Sequence, residues 1–351
     1  MLIIDGGHAS DALRSSLSDE AFNDLYIKGK GRRVLYIHFP YCPQKCRYCV
    51  CKSRECPDGG YVDEYVQKDM LAQIEKARDI LEQVCFEEIY IGGGTPTYAS
   101  AGMLEALFRA IPNLEGIPNK CIEGSPNTLA QEHLDLLKAW NFDYLSLGIQ
   151  SLQEDICKWQ NRYYITREQA AELSEAIRST GMYFNYDLIC YLGRGDIRDI
   201  PGFREDLLFL MQTCLPSSIC IHQLHQTTFT REKMLLLYQT LREAIECCPE
   251  YECINAELQD QDAVADMMYE AEFRLVRERR DYTHHMWNKF PGIPVPGYDV
   301  YALGGVGTVR PKSNVGELVR THGTGRTKIV RTPEWITESY HDIRRRKGLE
   351  G

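Results

Sequence analysis

The sequence predicts an α/β fold, a partial (β/α)6 TIM-like barrel with a smaller C-terminal region. Two observations carry that prediction. Short apolar runs alternate about six times with segments of helical spacing between Val34 and Glu246. The loops richest in chemistry, a cysteine run and a triple glycine, each directly follow a strand, where parallel barrels place their functional groups.

The elements follow in order. Residues 1–32 are polar and read as an N-terminal extension, with a short helix at Asp19–Tyr26. Val34–Phe39 is the first strand, followed by the cysteine loop and the polar stretch Lys52–Gly60. From Tyr61 to Gln83 the residues Tyr65, Met70, Leu71, Ile74, Ile80 and Leu81 recur at helical spacing. Phe86–Ile91 is a strand, and Gly92–Thr97 a tight loop. Helices are expected at Ala101–Ala110, Leu129–Trp140, around Glu168–Ile177, and at Gly202–Gln212 and Arg231–Glu246. Strands are expected at Lys120–Glu123, Tyr144–Ile149, Tyr183–Ile189 and Ser218–Ile221. The barrel domain therefore spans 33–250. Residues 251–351 form a region expected to cover substrate, with a helix at Ala263–Glu278 and an aromatic, Gly- and Pro-containing stretch at Asp281–Gly307.

Bulk properties narrow the function. The chain has 351 residues, 44% of them hydrophobic, enough for one large domain or two smaller ones. A formal net charge of −10 disfavours nonspecific binding to nucleic acid or anionic lipid. No stretch approaches the length of a membrane-spanning helix, and Met1–His8 lacks a basic signal region, so a cytoplasmic protein is expected. Fourteen scattered cysteines suit that reducing setting, most of them as small core residues. The basic run Arg344–Lys347 reads as a solvated helix end.

The central stretch is Tyr36–Cys51, with Cys42, Cys46 and Cys49 at C-x3-C-x2-C spacing. Three thiolates on one loop can hold an iron–sulfur cluster while leaving one iron without a sulfur ligand from the run. A structural zinc site is the alternative, although no second Cys or His pair stands at ribbon spacing. His38 reads as a buried, hydrogen-bonded histidine, and His222, His225, His284 and His285 as polar pocket residues or, less simply, metal ligands.

The ordered set of motifs resembles the radical S-adenosylmethionine (radical SAM) superfamily. The set comprises Tyr36-Ile-His-Phe-Pro-Tyr-Cys42, the cysteine triplet, Cys51, Tyr90–Thr97, Leu145-Ser-Leu-Gly-Ile-Gln-Ser151 and Asp187-Leu-Ile. Within that superfamily it is similar to the oxygen-independent coproporphyrinogen III oxidase-like, or HemN-like, branch. The resemblance runs from about Val34 to Leu192. It implies a [4Fe–4S] cluster on Cys42, Cys46 and Cys49, with Cys51 not a ligand. It implies one or two bound SAM molecules and hydrogen abstraction from a metabolite, leading to decarboxylation, oxidation, or methyl or methylene transfer. Tyr36 and Glu123 are the catalytic candidates it implies. Tyr48 would lie by the adenine, and Gly93, Gly94 and Thr95 by the methionyl amine. Arg162 suits the methionyl carboxylate, Asp187 the ribose, Glu123 the amine or ribose, and Gln150 a further SAM contact.

The expected partners are a small-molecule substrate and a flavodoxin- or ferredoxin-type electron donor, with no nucleic acid and no membrane. The haem-chaperone members of the branch carry a C-terminal His-Asn…Tyr-Trp motif, whereas the nearest stretch here, Tyr282–Phe290, does not contain it intact. A different substrate follows most simply, with a haem chaperone or coproporphyrinogen-type tetrapyrrole protein of the same branch as the second reading and a zinc-ribbon structural protein as the third.

Overall fold

A computed structural model describes residues 32–49, 53–56, 58–224, 230–253, 273–277, 298–304 and 318–320. The expected helix at Asp19–Tyr26, Cys51, His225, His284, His285, the Tyr282–Phe290 stretch and the run Arg344–Lys347 lie outside the described residues.

The described residues begin with β1 (Arg32–Phe39) and a small paired turn, β2 (Tyr41–Cys42) and β3 (Arg54–Glu55). The first helical layer is α1 (Gly59–Tyr65), a π-helical turn at Val66–Met70, α2 (Leu71–Lys76) and α3 (Arg78–Gln83). Then come β4 (Glu88–Gly93), α4 (Ala101–Ala110), β5 (Asn119–Gly124) and α5 (Gln131–Ala139). They are followed by β6 (Tyr144–Gln150), α6 (Glu154–Trp159), α7 (Arg167–Thr180) and β7 (Tyr183–Cys190). The last units are α8 (Ile200–Phe209), continued by a π-helical turn, β8 (Ser218–Gln223) and α9 (Arg231–Cys247). Beyond them stand β9 (Glu252–Cys253), β10 (Phe273–Val276), β11 (Tyr298–Gly304) and β12 (Leu318–Arg320).

Local chemistry sets the helix ends. Ser100 caps α4 by accepting the Met103 N–H at 3.3 Å. Thr166 and Gln169 form a reciprocal capping box on α7, and Gly181 ends that helix at φ 83°, where a side chain would be strained.

Among the described residues one ten-stranded sheet has the order β12-β11-β1-β4-β5-β6-β7-β8-β10-β9. β11, β1 and β4 through β8 run parallel, which is the expected partial (β/α)6 barrel with one more parallel strand, β11, beside β1. β12 and β10 pair antiparallel at the two sides. Phe273–Val276 corrects the sequence reading, which placed it in a helix over Ala263–Glu278. It pairs with β8, Phe273 opposite Ile221, and with β9 on its other side, and tertiary pairing in the sheet overrides a weak local helical preference.

Alternation along each strand divides the sheet into two faces. One face is aliphatic: Leu35, Ile37 and Phe39, Ile89 and Ile91, Leu145, Leu147 and Ile149, Leu188, Ile219 and Ile221. These are buried in a single core with the helices. The opposite face carries the polar and aromatic residues and lines the barrel interior.

Candidate active site at the C-terminal ends of the strands

The interior face begins with an aromatic plug. Tyr90, Cys121 and Tyr144 are buried together, with Tyr36 and Tyr183 packed on them. Tyr36 stacks on Tyr90 with ring centroids 6.0 Å apart, and its hydroxyl lies 2.9 Å from His38 Nδ1. Above this plug the strands end in a cleft. Its walls include Cys42, Cys46, Cys49, Tyr48, Gly93, Gly94, Thr95, Glu123, Gln150, Arg162, Asp187 and His222.

The cysteine loop reaches the cleft from the end of β1 and is clasped from two sides. The Cys56 N–H donates to the Cys42 carbonyl at 2.8 Å, and the Lys45 N–H to Glu55 Oε2 at 3.1 Å. On the other side the Gln160–Asn161 turn holds it. The Arg47 N–H donates to the Gln160 carbonyl at 2.9 Å, Gln44 Nε2 to the Asn161 carbonyl at 2.8 Å, and Asn161 Nδ2 to the Lys45 carbonyl at 3.0 Å. Asn161 supplies that geometry from left-handed backbone at φ 50°. Burial pushes the Cys42 thiol above its usual range, against the opposing hydrogen bonds of Thr95 and Ser53. A thiol in that state ionises readily only when a cation or metal takes the charge.

The glycine loop approaches this cysteine loop at backbone distance. A Cβ on Gly94 would lie 2.4 Å from the Tyr41 carbonyl oxygen, and one on Gly93, at φ 112°, 2.6 Å from the His38 ring. The loop's N–H groups are committed within the protein. Gly93 N donates to Glu123 Oε2 at 3.0 Å, Gly94 N to the Phe39 carbonyl, and Thr95 N to the Tyr41 carbonyl. A ligand ammonium, which only donates, would be met by acceptor oxygens at this loop rather than by its amides. Glu123 is fixed from beneath as well, since the Tyr90 hydroxyl donates to its Oε1.

At the end of β6 the strand bulges at Gly148, and Gln150 adopts φ 71°. Arg162 lies across this bulge. Its Nη2 donates to the Gly148 carbonyl and, at 3.0 Å, to Ser125 Oγ, while Nη1 stands 3.9 Å from Cys46 Sγ. Burial lowers the guanidinium pKa, but Tyr48, Cys46 and Cys42 outweigh that, so Arg162 stays charged. Among the described residues Arg162 Nε and Gln150 Oε1 are buried without a hydrogen-bond partner. An orphan donor and an orphan acceptor on the wall of one cleft are what a ligand carrying both kinds of group would satisfy.

Asp187 and His222 complete the far wall. His222 Nε2 lies 3.5 Å from Asp187 Oδ1, which also accepts from Asn185 Nδ2 at 2.7 Å. Asn185 Oδ1 accepts from Ser218 Oγ at 3.0 Å, and Ser218 Oγ lies 2.8 Å from the Tyr144 hydroxyl. A polar chain thus runs from the aromatic plug to the rim.

The structure brings every predicted cluster and SAM residue to one cleft and leaves one catalytic candidate out. Tyr36 is not among the cleft's lining residues and sits lower, on the aromatic plug. Sequence reasoning missed Ser125, Ser146, Gly148, Tyr163 and the Gln160–Asn161 clasp. Strand alternation could have found Ser146 and Gly148, since they share a face with Gln150.

The residues fit an iron–sulfur cluster and an amino-acid-bearing ligand. Three cysteines of one loop line the cleft, and the glycine cradle and the two orphan atoms belong to residues of the same wall. Residues 36–207 match the radical SAM superfamily. A haem chaperone HemW of Buchnera aphidicola is 30% identical over 174 residues, covering 47% of this chain and 44% of the relative. The oxygen-independent coproporphyrinogen-III oxidase-like protein HemZ of Bacillus subtilis is 30% identical over 214 residues, covering 58% and 41%. The chain thus spans less than half the length of these relatives. The structure of the coproporphyrinogen III oxidase HemN of Escherichia coli superposes with TM-score 0.63 at 16% identity, over 86% of this chain and 73% of that one, and shows the same fold.

Proposed function

From a chain whose residues 36–207 form a radical SAM domain with HemN-like relatives, we propose an enzyme that abstracts hydrogen from a small-molecule substrate. The observation that carries this reading is the convergence of Cys42, Cys46 and Cys49 with the unpartnered Arg162 Nε and Gln150 Oε1 on one cleft. Cys42, Cys46 and Cys49 would hold a [4Fe–4S] cluster, which when reduced supplies the electron that cleaves SAM to methionine and a 5′-deoxyadenosyl radical.

The chain's own residues do the rest. Arg162 Nε–H meets the methionyl carboxylate, and acceptor oxygens of the Gly93–Gly94 loop meet the amine. Asp187 and Gln150 orient the ribose and adjoining polar groups, with Tyr48 near the adenine. Glu123 holds the glycine loop in register for that binding. Tyr90 and Tyr144, buried together with Tyr36 packed on them, form an apolar floor on the interior face beneath the cleft. A flavodoxin- or ferredoxin-type protein supplies the electron, and a cytoplasmic setting suits both the donor and the free thiols. Whether one or two SAM molecules bind is measured directly by the binding stoichiometry of the loaded protein.

A haem chaperone is the second reading, supported by the HemW relative. One anaerobic experiment separates the two. Reconstituted protein is mixed with dithionite and SAM, and 5′-deoxyadenosine is measured by liquid chromatography; haem binding is titrated in parallel. Formation of 5′-deoxyadenosine supports the enzyme. Its absence together with tight, stoichiometric haem binding favours the chaperone. Zinc alone in the purified protein, without iron and sulfide, sinks both.

A further inference from the structure

We propose that Arg162 sets the reduction potential of a cluster held at Cys42, Cys46 and Cys49, a role beyond ligand binding that rests on the cluster reading above. The potential of a thiolate-held cluster follows its net charge, the hydrogen bonds to its sulfurs and its exposure to water. Arg162 acts on the first two. Its Nη1 stands 3.9 Å from Cys46 Sγ, and the side chain is a cation in a half-buried wall where charges are poorly screened.

The placement is built rather than incidental. Nη2 is pinned to the Gly148 carbonyl and to Ser125 Oγ at 3.0 Å, which fixes the guanidinium plane and turns the Nη1 edge toward the cysteine loop. Glycine at position 148 leaves room for this arrangement, since a Cβ there would lie 2.7 Å from Gln150 Nε2 and 3.2 Å from Arg162 Nη2 and would press on the ends of both side chains. The residues before Arg162 hold the loop itself, through the Arg47 N–H to the Gln160 carbonyl at 2.9 Å and Asn161 Nδ2 to the Lys45 carbonyl at 3.0 Å. Cation and thiol therefore belong to one hydrogen-bonded unit, which fixes their separation. A fixed cation beside a cluster sulfur favours the reduced cluster, which carries one more negative charge.

The test is a potentiometric titration of the reconstituted full chain, followed by the electron paramagnetic resonance signal of the reduced cluster, without SAM. Arg162→Gln should lower the reduced-to-oxidised ratio at a fixed ambient potential about tenfold, equivalent to about 59 mV for one electron. Arg162→Lys, which keeps the charge, should restore most of that loss. A Gln variant titrating with wild type overturns the proposal. If the Gln variant takes up no cluster, Arg162→Lys decides alone: a titration close to wild type upholds the role of charge, and a tenfold loss despite the retained charge overturns it. A wild-type chain that gives no cluster signal on reconstitution instead fails the cluster reading itself.

Discussion

Glu123 Oε2 accepts the Gly93 N–H at 3.0 Å, so a carboxylate on β5 holds the turn at the end of β4. The Tyr90 hydroxyl donates to the other oxygen of the same carboxylate. Glu123 is thus a positioning group for the glycine loop as well as part of the cleft wall. Hydrogen bonds to a charged acceptor contribute about 1.5–3 kcal/mol. Glu123→Gln keeps the shape but removes the charge, and it should weaken SAM binding to the cluster-loaded protein about tenfold or more by calorimetry. Tyr90→Phe should weaken it less, because the Gly93 contact survives. Equal affinity in wild type and Glu123→Gln would show that the loop stands without this support.

The glycines should separate into those the site needs and those the fold merely tolerates. Gly93→Ala forces a Cβ to 2.6 Å from the His38 ring at φ 112°, and Gly94→Ala forces one to 2.4 Å from the Tyr41 carbonyl oxygen. Each should destabilise the chain by about 1–3 kcal/mol and abolish measurable SAM binding. Gly102 lies in α4 with nothing within 4 Å of its Cβ position. Gly102→Ala should stabilise by about 0.4–1 kcal/mol through the unfolded chain and leave binding unchanged. Urea midpoints and SAM affinities for the three variants check the division.

Much of this was legible along the chain, and the rest lies across it. The strands β1 and β4 through β8 announce themselves as apolar runs. α4 falls at the predicted Ala101–Ala110, because Ser100 caps it and the apolar positions repeat. α6 was not seen. Its six residues form too short a pattern to register, and buried Cys157 fastens it to the core. The strand Phe273–Val276 was read as helix because pairing with β8, some fifty residues earlier, decides its state. At the site, residue types named the cysteine loop, the glycine loop and the polar residues that line the cleft. They could not show that Arg162 faces Cys46 or that Glu123 supports Gly93, since those contacts join distant segments of the chain.

The ligand set makes a sharp prediction about neighbouring cysteines. Cys46→Ala removes a thiol from the cleft wall, and should abolish both the cluster absorbance of reconstituted protein and 5′-deoxyadenosine formation. Cys51→Ala should leave much of both. Iron and sulfide content, measured beside the absorbance, decides the matter: equal loss in the two variants would end the assignment of Cys42, Cys46 and Cys49 as the ligands.

Asp206 on α8 gives a prediction in pH. Its buried Oδ2 accepts from Ser151 Oγ at 2.9 Å, the Leu152 N–H at 2.8 Å and Gln153 Nε2 at 3.3 Å, which anchors the turn that follows Gln150. Burial raises the carboxyl pKa, and these hydrogen bonds, with Arg167, only partly offset it. The folded chain then holds this proton more tightly than the unfolded chain, whose carboxyl titrates near about 3.9. The resulting stabilisation is complete below the unfolded value and is lost as pH rises through the raised folded value. Asp206→Asn carries no such proton. The stability of wild type relative to Asp206→Asn should therefore grow as pH is lowered from neutral toward the unfolded carboxyl value, read from urea midpoints at each pH. If the difference shrinks instead, the three donors outweigh burial, and the carboxylate is held ionised as a stabilising anchor for the β6 turn.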